Sequence, residues 1–133
     1  MAEEAGGVVG TMRLHLIEAK LTHDTQKIGK MDPYVIVKIR EEDWKGPIHD
    51  NGGKHPNWEN LDNTKDFKIK YLGDEIFFHV YDEEVFKDSD VCEGQAKLSA
   101  LCCDGGMDEW YALTHKGKDA GRIHIKAEWF PVA

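Results

Sequence analysis

"EIFFHVYDEEVFKDSDVCEG", residues 75–94, joins two patterns. In its first half Ile76, Phe78 and Val80 share one face and Phe77, His79 and Tyr81 the other, the period-two signature of a half-buried strand. Its second half is a run of Asp and Glu broken by Val85 and Phe86. A run this acidic is either a solvated loop or one side of a hard-cation site, since calcium takes about 6 to 8 oxygen ligands from carboxylates, carbonyls and water.

The same alternation recurs outward along the chain. "TMRLHLI" sets Met12, Leu14 and Leu16 against Thr11, Arg13 and His15; "YVIVKIR" sets Val35, Val37 and Ile39 against Lys38 and Arg40. "DFKIKY" and "GRIHIKAEWF" repeat the plan. Between these segments stand "GKMDP", "DNGGKHP", "YLGDE", "CDGGMDE" and "HKGKDAG", rich in the residues that tight or left-handed turns require. Short alternating strands with frequent turns and no sustained helical period predict an all-β antiparallel sandwich or barrel. "YLGDE" is short enough for a hairpin, and one helical turn opened by Ser99 fits Leu98 to Cys103. No repeat or linker divides the chain, so one domain is expected.

Composition narrows the function. The chain is 41 % apolar, enough for a core without metal or disulfide support. Its apolar runs fall far short of the roughly 20 residues that cross a bilayer, and "MAEEAGG" lacks the regions of a signal peptide. A cytoplasmic protein is expected, with Cys92, Cys102 and Cys103 as reduced thiols. A net charge of −8 argues against nucleic acid as a partner, which needs a basic face to displace counterions. It equally opposes unaided attraction to anionic lipid.

No histidine spacing matches a metalloprotease, no Gly-rich loop leads a strand into a helix, and no nucleophile motif has a base beside it. The chain is therefore not expected to be an enzyme. His15, His79 and His124 lie within strands, where a sheet-face role suffices, and Trp44, Trp58, Trp110 and Trp129 read as core and strand-edge anchors.

Taken in order, "LHLIEAK", "GKMDPYVIV", "GKHPNWEN", "IFFHVYDEE", Gly94-x-Ala96, "WYAL" and "GRIHIKAEWFP" resemble the C2 domain family. The resemblance covers residues 11–131, leaving 1–10 as a short N-terminal extension. It implies an eight-stranded antiparallel β-sandwich of the permuted type II topology. It further implies calcium-binding loops at one end, which carry loaded members to phospholipid. By residue, Asp32 and Asp82 fall on family ligands, Glu84 on a position normally Asp, and Asp90 on a later ligand, with Asp24 and Asp88 nearby. Ile28, Val85 and Phe86 fall at the loop tips that touch membrane, and Lys38, Arg40, Lys45 and Lys54 at a phosphoinositide-binding face.

The chain departs from the family pattern in three places. Gln26 stands where the first-loop acid is usual, six residues before Asp32; Glu84 replaces Asp; and Gly94 comes one residue late, behind Cys92 and Glu93. Two functions therefore stand side by side. One is a Ca²⁺-dependent module recruited peripherally to anionic phospholipid membranes. The other is a calcium-independent domain whose partner is a protein.

Overall fold

The computed structural model describes residues 7–133; residues 1–6 of the expected extension lie outside the described residues. Eight antiparallel strands appear in the order β1 Gly10–Leu21, β2 Pro33–Ile39, β3 Glu42–Lys45, β4 Thr64–Ile69, β5 Glu75–Asp82, β6 Ser89–Lys97, β7 Met107–His115 and β8 Lys118–Pro131. A single helical turn, α1 Leu98–Leu101, precedes β7. The strands run β3-β2-β5-β6-β7-β8-β1-β4 across the fold. One bridge, Glu93 opposite Thr114, joins β6 to β7, and at that narrow seam the order divides into two four-stranded layers.

Period-two patterning places the core between those layers. Met12, Leu14 and Leu16 of β1, Val35 and Val37 of β2, Ile76, Phe78 and Val80 of β5, and Ile123 and Ile125 of β8 all point inward and are buried. The last strand lies beside the first from Gly10↔Pro131 to Leu21↔Gly121, as type II topology requires. Trp58, in the long β3–β4 connection, is buried, and its indole N–H donates to the Pro33 carbonyl at 3.1 Å. Cys92 and Cys102 are buried and unbridged; burial pushes both thiols up to about 12.

Two local expectations are corrected. "YLGDE" makes no hairpin, because β4 pairs with β1 while β5 pairs with β2 and β6; the segment carries the chain from one layer to the other. The tight hairpin joins β7 to β8 through Lys116 and Gly117, both left-handed at φ 50° and 79°, as two-residue loops favour. Ser99 lies inside α1 rather than capping it; Lys97 stands at the N-cap with no side-chain bond, since the turn begins where β6 ends.

Strand pairing also decides which loops share an end. Pro33 lies opposite Asp82, and Asp82 opposite Ser89. The β1–β2 loop (22–32) and the β5–β6 loop (83–88) therefore gather together, with the β3–β4 connection running alongside.

Candidate functional site at the loop end

The alternation that buries Ile76, Phe78 and Val80 continues one step further and points Asp82 inward, where it is 0 % exposed. A buried carboxylate is costly unless its oxygens are bonded. Here Oδ1 accepts the Asp32 backbone N–H at 2.8 Å, and Oδ2 accepts the Thr25 hydroxyl at 2.8 Å and the Gln26 amide at 2.5 Å. All three donors are neutral. Asp82 thus ties the first loop to the third.

Asp32 extends the junction. Its carboxylate accepts the Asn51 N–H at 2.7 Å, from the β3–β4 connection, and its carbonyl accepts the Glu83 N–H at 3.1 Å. Glu84 and Asp88 form a second group, in which Asp88 Oδ1 accepts the Glu84 N–H at 3.0 Å and Oδ2 accepts the Tyr34 hydroxyl. These bonds, the tyrosine's first, hold the Asp88 carboxyl below its usual range. Burial, and then Asp88, push the Tyr34 hydroxyl upward. Glu84 Oε2 is buried with no hydrogen-bond partner among the described residues.

The structure separates the other two candidate ligands from these. Asp24 accepts the Gln26 N–H at 2.9 Å in a local turn. Asp90 faces outward beside His79, whose ring nitrogen lies 2.7 Å away. The cause is a bulge: Val80 opposes Cys92 but Tyr81 opposes Asp90, so Val91 is the extra residue, and it turns inward and is buried. That insertion also accounts for the late Gly94. Among the described residues no group of three or more His, Cys, Asp or Glu is gathered as a metal site.

At the loop tips, Ile28 is 90 % exposed, Val85 92 % and Phe86 100 %. Of the four basic candidates, Lys38 and Lys45 share the outer face of β2–β3, two register steps apart. Lys38 opposes Asp43 across β2–β3, and Arg40, at the far end, pairs with Asp74 and covers the Tyr71 ring. Lys45 sits 4.5 Å from the Tyr34 ring centroid, and Lys54 lies beside β1, its carbonyl accepting the Leu21 N–H.

Thr25, Tyr34 and Asn51 were not singled out by their sequence context, because their partners are 57, 54 and 19 residues away. Gln26 carried a signal, standing where the family pattern has an acid. Trp110 departs from its expected anchoring role; it lies on the outer face of β7, stacked on His124 at 4.9 Å.

Comparison with known proteins agrees with the architecture. The chain is 29 % identical over 125 residues to extended synaptotagmin-3 of Mus musculus, a match covering 90 % of this chain and 13 % of that protein; the chain spans only a small part of that relative. It is 28 % identical over 126 residues to elicitor-responsive protein 3 of Oryza sativa subsp. japonica, covering 93 % and 85 %. The C2A domain of plant extended synaptotagmin 1 superposes with a TM-score of 0.82 at 19 % identity, over 94 % of this chain and 97 % of that one. The family model described as the C2 domain matches residues 10–113, and the chain belongs to that family.

Proposed function

We propose that this C2 domain is a binding module, not a catalyst, that docks peripherally on phospholipid membranes of the cytoplasm through its loop end. The observation that carries this reading is the exposure of Ile28, Val85 and Phe86 on two loops rooted at one buried carboxylate. Burying Val85 and Phe86 in an apolar phase stabilises the bound state by roughly 1.5–3 kcal/mol each. The net charge of −8 opposes approach to anionic lipid, so the carboxylates must be neutralised locally.

The donor set suits calcium, being all oxygen, and the unpartnered Glu84 Oε2 is the acceptor such an ion would satisfy. Asp32, Asp82, Glu84 and Asp88 would hold it, while Asp24 and Asp90 lie to the side. Calcium, when bound, supplies the positive charge that offsets these carboxylates. Gln26 would have to withdraw its amide from Asp82.

That last requirement favours a second reading, a calcium-independent domain with a protein partner, because Asp82 is already satisfied without a cation.

Sedimentation with vesicles of phosphatidylserine and phosphatidylcholine, in calcium and in chelator, separates the two. Calcium-dependent pelleting that Val85→Asp/Phe86→Asp abolishes supports the first reading. Pelleting unchanged by the double variant refutes it, and absence of pelleting in both buffers favours the second.

A further inference from the structure

On the outer face of the β7-β8-β1-β4 layer, Lys20 of β1 stands directly opposite Arg122 of β8. Like charges facing each other across adjacent strands are destabilising, so this pairing calls for a compensating partner. Among the described residues no carboxylate forms an ion pair with either cation: Asp108 binds His124 Nε2, Glu18 lies 3.6 Å from His124 Nδ1, and Asp119 accepts the Gly121 N–H at 3.1 Å. What both cations share is Trp110, with Lys20 Nζ 5.1 Å and Arg122 Cζ 5.2 Å from its ring. The indole quadrupole attracts cations but carries no net charge to offset two of them.

These side chains bound a depression of about 550 Å³ with Thr22 on its rim and Ala112 in its lining. Ala112 opposes Arg122 from the β7 side, and its small side chain leaves the space a larger residue would fill. The depression thus offers two cationic donors, a hydroxyl and a half-exposed indole.

We propose that it is a binding site for a phosphomonoester dianion, whose two charges match Lys20 and Arg122 and whose oxygens accept their N–H groups, the pairing for which charge-assisted hydrogen bonds are strongest. The site lies on the layer opposite the one that carries Lys38, Arg40 and Lys45. It does not depend on the loop tips, although Lys20 and Thr22 lie where β1 enters the first tip loop and a lipid headgroup could reach them. Among the described residues Asp119 is the single carboxylate lining the depression, and it weakens the site rather than forming it.

The test follows the Trp110 indole N–H in ¹⁵N-labelled protein, assigned with Trp110→Phe, during titration in chelator with inorganic phosphate and then phenyl phosphate at constant ionic strength. A saturable shift is expected, with affinity falling about tenfold or more in Lys20→Ala/Arg122→Ala and rising in Asp119→Asn. Lys20 and Arg122 are exposed, so the double variant should melt like the parent. A shift that never saturates, or one equally strong in the double variant, overturns the proposal.

Vesicles in chelator identify the source. Pelleting with phosphatidic acid, a monoester, but not with phosphatidylglycerol, a diester, indicates a lipid headgroup. Saturable titration without pelleting indicates a soluble phosphomonoester, and either supports the site. Val85→Asp/Phe86→Asp should leave the indole shift intact, so failure at the loop tips and failure here are distinguishable.

Discussion

Replacing Gln26 by glutamate tests the junction around Asp82 with almost no change of shape. In the native protein the Gln26 amide donates to Asp82 Oδ2 at 2.5 Å. The Gln26→Glu variant loses a hydrogen bond to a charged group, a loss of about 1.5–3 kcal/mol, and sets two carboxylates side by side. Such a pair repels by about 1 kcal/mol in water and up to about 4 kcal/mol near a protein surface; because Gln26 is half-buried, the lower part of that range applies. The total is on the order of 3 kcal/mol, which for a domain of this size lowers Tm by roughly 10–15 °C in chelator. Calcium should offset most of the loss. The added carboxylate becomes a further oxygen ligand and the amide no longer competes, so the variant should gain more Tm from excess calcium than the parent gains, by up to about 2.7 kcal/mol at a hundredfold excess over Kd. Differential scanning calorimetry of both proteins in chelator and in calcium reads both effects. Equal stability in chelator would show that the Gln26–Asp82 bond is not made. A large loss that calcium fails to recover would remove the cation from the account of this junction.

Two further outcomes follow from the fold. The Asp88 carboxyl sits below its usual range because of Tyr34 and the Glu84 N–H, so its folded value lies beneath its unfolded one, about 3.9. Its contribution is therefore complete above that value and lost as pH falls through the folded value. The Tm gap between the parent and Tyr34→Phe should be widest near neutrality and close below about pH 4; a gap constant down to about pH 2 would sever Tyr34 from Asp88. In the core, Trp58→Phe should cost about 0.5–1.5 kcal/mol, because the Pro33 carbonyl loses one of its two donors and keeps the His49 N–H, and Trp58→Ala about 3–5 kcal/mol. Urea unfolding measures both, and a Trp58→Phe midpoint equal to the parent's would deny the indole its bond.

The strands most readable from sequence are those with one clean buried face. β1, β2, β4, β5 and β8 alternate because each has core on one side and water on the other, and that contrast is written into every second residue. β3, "EDWK", is an edge strand with three of its four residues exposed, so no apolar face announces it. β6, "SDVCEGQAK", escapes the pattern because the Val91 bulge buries two consecutive residues.

The candidate site divides along the same line. That Asp82 would be buried was implicit in the parity of β5, whereas the tip positions of Val85 and Phe86 came from the family resemblance, and their exposure, as against packing under the loop, came from the structure. That Asp90 would turn away from Asp82 was not implicit, because the residue inserted at Val91 puts the side chains before it on the opposite face from the one an unbroken register would give them. Sequence by itself determined the strand faces and the acid-rich loops, since each depends on local spacing. Only the tertiary structure decided that Gln26 and Thr25 would satisfy Asp82, and that Lys20, Trp110 and Arg122 would meet on three neighbouring strands. Those encounters are set by strand order and register, which spacing along one chain does not encode.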